Sequence, residues 1–210
     1  MTPLATVTLL LAASLVPFLV ACLTSFLKIA VVLAILKNAL GARDVPPAIV
    51  VTGLAVLLTL VVMAPVGAAV WTAAGPAIER GEGDPKALVA VAEAAREPVR
   101  AFLARHAHPR DRAIFADLAR RLAPAGQQRD DDLAILAPAF ATSQLADAFM
   151  MGFLLFLPFL VIDLFVAVTL RSLGLEALPP QAVALPMKLV LFVAVDGWAL
   201  VARALVAAYA

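Results

Sequence analysis

Four ionisable residues, Lys28, Asp163, Lys188 and Asp196, sit inside long apolar runs. A charge at bilayer depth costs ~3 kcal/mol or more, so each must snorkel to an interface, pair with an opposite charge, or face protein or water. Lys188 and Asp196 lie within a turn or two of a run's end. Asp163 does not, because Phe153 to Ile162 precede it and Leu164 to Leu170 follow. Its position predicts a buried partner. The chemistry open to such groups is proton relay or subunit assembly. Enzyme signatures are absent: there is no GxxxxGK[ST] loop for phosphate, no HExxH or cysteine cluster for a metal, and no GxSxG turn. His106 and His108 form an H-x-H pair beside Pro109, but in so charged a stretch they read as solvated surface and not as a metal site. We therefore expect no enzyme activity, no cofactor and no metal.

The elements that must position these charges are helical. The run from Leu4 to Leu36 is longer than the ~20 residues a bilayer core needs. Its start carries no Lys or Arg, unlike a secretory signal peptide. A second run, Ala48 to Trp71, opens after Pro46-Pro47, which suit a turn followed by a helix start. The connector Lys37 to Pro47 holds Lys37 and Arg43 against Asp44, so short-loop charge places it in the cytoplasm. Two further runs centre on Ala148 to Leu170 and Ala184 to Ala207, joined by Arg171 to Val183 with its Gly174 and Pro179-Pro180. Pro17, Pro65, Pro138, Pro158 and Pro186 interrupt the runs. Such breaks are tolerated at membrane depth only where neighbouring protein or water satisfies the freed carbonyls, which suits helices buried in an assembly.

The middle of the chain is different. Ten of the sixteen Lys/Arg and ten of the fifteen Asp/Glu fall between Trp71 and Ala134. Asp84-Pro85 reads as a helix start before an apolar stripe from Leu88 to Phe102, with Pro98 expected to kink or interrupt it. A second helix carries Ile114, Phe115, Leu118 and Leu122 on one stripe. Pro124 to Asp132 reads as a loop ending in an acidic cap. Overall 64% of the residues are apolar, beyond the ~45–50% of soluble domains, so lipid or partner proteins must cover the surface. A net charge of +1 gives no reason to expect nucleic acid. The fold expected is an all-α membrane protein: an apolar hairpin (1–71), a small polar helical lobe on the periplasmic side (72–134), and a second apolar hairpin (135–210).

Several strings then stand out together. Thr24-Ser25-Phe26-Leu27-Lys28-Ile29, Leu36-Lys37-Asn38-Ala39-Leu40-Gly41 and Val45-Pro46-Pro47 are followed by Met63-Ala64-Pro65-Val66 and Pro98-Val99-Arg100-Ala101-Phe102. Later come Gly152-Phe153, Leu157-Pro158-Phe159-Leu160-Val161-Ile162-Asp163, Leu185-Pro186-Met187-Lys188-Leu189 and Asp196-Gly197-Trp198. In this order and over nearly the whole chain they resemble the FliP/SctR family of type III secretion export gates. The resemblance implies a structural, pore-forming subunit in the bacterial inner membrane. It implies assembly as a pentamer with the other export-gate membrane subunits, conducting unfolded secreted proteins. Because the chain begins directly at its first apolar run, the injectisome branch is expected over the flagellar one.

Two departures from the family pattern carry site expectations. The family's S-E-L string is Ser143-Gln144-Leu145 here, so the inter-subunit pair it implies would join Gln144 to Lys188, with Asp147, one turn on, expected to supply the missing carboxylate. The methionine-rich gasket that the family carries after the glycine is replaced by Leu175, Glu176, Ala177 and Leu178. Leucine seals with less adaptability than methionine. Leu175 and Leu178 are expected at the constriction with Glu176 turned away, and Met150 and Met151 are a possible source of softness. The competing readings are a small secondary transporter or proton channel using Asp163 and Lys28, and an intramembrane enzyme, for which no nucleophile, base and metal set is visible.

Overall fold

The computed structural model describes residues 14, 17–42, 45–80, 85–122, 132–175 and 177–210. Arg43, Asp44, Asp84, Glu176, the beginning of the first apolar run and nearly all of the Pro124–Asp132 loop lie outside these. The described residues form eight helices and no strand: α1 (Pro17–Leu23), then α2 (Phe26–Leu40), α3 (Ala48–Arg80), α4 (Pro85–His106), α5 (Pro109–Leu122), α6 (Leu133–Ser172), α7 (Pro180–Ala194) and α8 (Gly197–Ala207). The stretch Ala48–Gly75 of α3, and α6 throughout, are long and apolar enough to cross a membrane; α1 with α2, and α7 with α8, pass the same test as broken pairs. This is an all-α membrane protein.

Helices α2, α3 and α6 are apolar on nearly every side, the pattern of a helix that never faces bulk water, whereas α4 and α5 are charged and amphipathic. Several hydroxyls bond back along their own helix: Thr59 Oγ1 donates to the Ala55 carbonyl, Thr169 Oγ1 to Phe165 and Ser172 Oγ to Thr169. α4 is not interrupted at Pro98. The ring removes one backbone donor, but the stripe continues beyond it and Phe102 and Leu103 are buried.

The chain divides into two compact units, each discontinuous in sequence: Met1–Leu27 with Val62–Gln144, and Lys28–Val61 with Leu145–Ala210. In the first, α4 and α5 meet at a tight turn whose buried residues are Phe102, Leu103, Ala107 and Ala116; Ile135, Leu136, Ala139 and Phe140 of α6 are buried as well, and the Phe102 and Phe140 rings lie 5.6 Å apart. The expected α5 stripe is divided: Ile114, Leu118 and Leu122 are exposed and Ala116 is the buried position.

In the second unit α2 is the most buried element, with Ile29, Val32, Leu33, Leu36, Ala39 and Leu40 hidden. It approaches α6 so closely that a Cβ on Gly152 would stand 2.4 Å from Ile35 Cδ1. Small residues permit such contact between apolar helices. The run from Ala184 to Ala207, expected as one segment, is two helices bent by 62°. Asp196 takes a left-handed φ of 51°, and Gly197 presses on Phe192 so that a Cβ would lie 2.2 Å from its ring. Trp198 meets the same ring edge-on at 5.2 Å. The Asp196-Gly197-Trp198 string is thus the hinge of a broken helix.

Candidate functional site

Three groups of residues in the second unit bear on function. The first surrounds Lys28, whose side chain is only 4% exposed. Its Nζ donates to Asp147 Oδ2 at 2.8 Å and sits 4.6 Å from the centre of the Tyr209 ring. Thus α2, α6 and the C-terminal turn converge on one ammonium. Tyr209 lies past the end of α8, and burial, reinforced by the nearby Asp147 carboxylate, pushes its phenol well above the ordinary tyrosine range. The phenol stays protonated beside a carboxylate it would otherwise repel.

The second group surrounds Lys188, buried on α7. Its Nζ donates to Asp163 Oδ2 at 2.7 Å and to the Ala39 carbonyl at 2.9 Å. Ala39 lies in the last turn of α2, where orphan carbonyls and the helix dipole favour a cation. Gly41 follows with φ 75°, and even a Cβ there would come within 3.7 Å of Lys188 Nζ. The two lysines therefore fasten α2 at both ends. Lys28 reaches α6 from its first turn, and Lys188 joins its last turn to Asp163 of α6.

The third group is the connector between α6 and α7. α6 ends in a Schellman motif: Gly174 has φ 72°, the Leu175 N–H reaches the Leu170 carbonyl at 3.0 Å, and the Gly174 N–H reaches Arg171 at 3.1 Å. Leu178 N–H then bonds Leu175 carbonyl at 3.2 Å, and Pro179-Pro180 start α7. Leu175, Ala177 and Leu178 are exposed. Leu175 and Leu178, with Leu164, Val168, Leu170, Arg171 and Pro180, line an open cavity of about 920 Å³. Val166, Leu170 and Ala184 form a buried cluster with Ile162, and Leu170 is shared between this cluster and the cavity lining.

The predicted residues are regrouped rather than scattered. Asp163 pairs with Lys188 and not with Lys28, so the Asp163–Lys28 relay has no direct contact. Asp147, expected to serve Lys188, is held by Lys28. Gln144, on the first unit, donates its amide to the His106 carbonyl at 3.0 Å. Asp196, expected among the buried charges, is exposed at the α7–α8 hinge. Tyr209 escaped sequence reasoning. Its signal was available: it is the chain's single tyrosine, set in an apolar C-terminal run.

A family model described as the FliP family matches residues 9–205. The chain belongs to the FliP family. It is 45% identical over 198 residues to the pathogenicity-related ORF2 of Xanthomonas campestris pv. glycines, covering 93% of this chain and 91% of that one. It is 44% identical over 202 residues to the hypersensitivity response secretion protein HrcR of Ralstonia nicotianae, covering 94% and 93%. Similarity extends to the flagellar biosynthetic protein FliP of Caulobacter vibrioides, 42% identical over 197 residues and covering 93% and 72%. In this FliP family chain, then, the strings quoted from the sequence fall on structural nodes. Lys28 and Lys188 are the two clamps, Gly152 the close approach of α2 and α6, and Asp196-Gly197-Trp198 the hinge.

Proposed function

We propose that this chain is a pore-forming subunit of an injectisome-type export gate, assembling with further copies of itself and with other gate subunits around a path for unfolded proteins. Membership of the FliP family, and relatives named for secretion, translocation and flagellar biosynthesis, make it a structural component of a type III export apparatus in the bacterial membrane. The finer reading is carried by the match over nearly the whole chain. It is supported by how much apolar surface the chain leaves uncovered: on α6 alone Phe149, Met150, Phe153, Leu154, Leu164 and Phe165 are more than half exposed. Exposed apolar area on this scale needs lipid or protein cover. A pentamer stacked through these helices would supply it.

Within such an assembly the α6–α7 connector supplies the constriction. Leu175 and Leu178 project into open space from a turn whose backbone is pinned by the Schellman motif, so their side chains are free to meet those of neighbouring copies. The polar helices α4 and α5 belong on the periplasmic side, because the Lys37-containing connector at the other end of α3 carries the short-loop positive charge. Solubilisation of the chain with its gene neighbours co-expressed tests the reading. A gate subunit extracts as a large hetero-oligomer, and its deletion stops secretion. Extraction as a small self-contained unit that moves a solute would refute it.

A further inference from the structure

Four charges of the second unit are neutralised inside it, in the Lys28–Asp147 and Lys188–Asp163 pairs. Lys37 and Arg171 stand in the last turns of α2 and α6, where orphan carbonyls and the helix dipole favour a cation. Asp196 and Arg203 are different. Both are exposed on α8 or at its start, and neither forms an ion pair among the described residues. The N-terminus of α8 favours an anion, but the Asp196 side chain makes no capping bond there.

The two residues are seven apart, about two helical turns and ~10 Å along the axis, so they share one side of α8. Leu200, 55% exposed, lies between them, while Gly197, Val201 and Leu205 are buried on the opposite side. Thus α8 turns a closed stripe towards its own chain and an open stripe of one acid, one leucine and one arginine away from it. Depth makes that open stripe costly. Asp196 stands at the break of a pair that passes the membrane-span test, with the 15 residues of α7 before it and the 11 of α8 after. Its short side chain cannot snorkel from there to water, so the carboxylate needs a partner.

We propose that Asp196 and Arg203 form an ion pair between neighbouring copies of this chain, Arg203 of one α8 reaching Asp196 of the next. The inference rests on the reading above that the chain assembles with copies of itself. Charge complementarity selects a second copy as the occupant, because the open stripe carries one charge of each sign and a copy of the same stripe satisfies both. A partner of other sequence would have to present both signs at the same spacing. The guanidinium has the longer reach, and it grips a carboxylate through two parallel hydrogen bonds that fix orientation as well as contact. Leu200 supplies the apolar contact beside the pair. Since every copy offers both an acid and a base, the pairing passes head to tail from one copy to the next, as a closed ring requires.

Carbodiimide coupling tests this on the whole gate, extracted in detergent after co-expression with its gene neighbours. Arg203→Lys keeps the charge and supplies an amine. A lipid-soluble carbodiimide then joins the Asp196 carboxyl to that amine as an amide, taking up the water as a urea, where the two groups touch. Denaturing gels of Arg203→Lys should show a ladder of covalently joined chains, with the amide mapped by mass spectrometry to positions 196 and 203, and adding Asp196→Asn should abolish it. Separately, Asp196→Asn, which keeps the left-handed turn accessible, and Arg203→Gln should each lower the oligomeric fraction about tenfold, and the two together should recover it to within about twofold, because no charge is left stranded. In oligomers of wild-type size, an amide confined to one chain, a link from either position to a different subunit, or no link at all would overturn the proposal. A wild-type chain that extracts without oligomers would overturn the assembly reading itself, and this pairing with it.

Discussion

Removing the carboxylate of Asp147 strands Lys28. In the folded chain its side chain is 4% exposed and its ammonium relies on the 2.8 Å bond to Asp147 and the Tyr209 face. Breaking a buried ion pair by deleting one partner costs ~3–5 kcal/mol. Two features reduce that figure. Asp147 is itself 32% exposed, so the pair is partly solvated already, and the cation–π contact, worth ~0.5–2 kcal/mol, survives the deletion. An Asp147→Ala loss of ~2–3 kcal/mol is the result. The double variant Lys28→Met/Asp147→Ala removes the stranded charge and should recover most of it, because a well-packed apolar pair replaces a buried ionic one at little cost. The assay is equilibrium unfolding of the purified protein in detergent, read as a double-mutant cycle. A coupling energy below ~0.5 kcal/mol, the scale of an exposed surface pair, would refute the claim that this pair holds α2 to α6.

Other consequences are as direct. Tyr209 is the chain's single tyrosine, so tyrosinate absorbance reports it alone: the folded protein should show no ionisation as pH passes about 10, and the signal should appear on unfolding. With the folded phenol raised above its unfolded value, this contribution to stability is intact below about pH 10 and is lost as pH climbs further. Half-ionisation near pH 10 in the folded state would contradict the burial. Gly197→Ala must displace the Phe192 ring, whose nearest atom would be 2.2 Å away, and should lower stability by ~1–3 kcal/mol; an unchanged melting curve would show that the hinge tolerates a side chain. Gly152→Ala should be similarly damaging and be relieved by Ile35→Ala, which removes the atoms it strikes. For the proposed constriction, Leu178→Gly should raise ion leakage through the assembled gate, and unchanged conductance would move the seal elsewhere.

Much of the fold was legible because the apolar runs are long and the interruptions chemically loud. Lys28, Asp163 and Lys188 announced themselves as charges in the wrong solvent, and Gly174 with Pro179-Pro180 marked a connector that proved to be a Schellman stop and a proline helix start. What the sequence left open was pairing within the chain: the inter-subunit pair implied for Gln144 and Lys188 concerns neighbouring copies, whereas within one chain Lys188 is matched with Asp163 and Lys28 with Asp147. Lys28 and Asp147 are separated by three helices and Asp163 and Lys188 by the α6–α7 connector, and nothing in local spacing says which turn of α6 faces which end of α2.

The amino-acid order alone determined that the chain is helical, that it belongs in a membrane, and which residues are too costly to bury unpaired. These follow from burial and solvation, which act residue by residue. The tertiary structure decided the partners, the hinge at Asp196-Gly197 and the discontinuous units. A hydrogen bond or ion pair depends on distances set by packing between remote segments, and a glycine's purpose at position 152 or 197 appears only when another side chain arrives within reach of its missing Cβ.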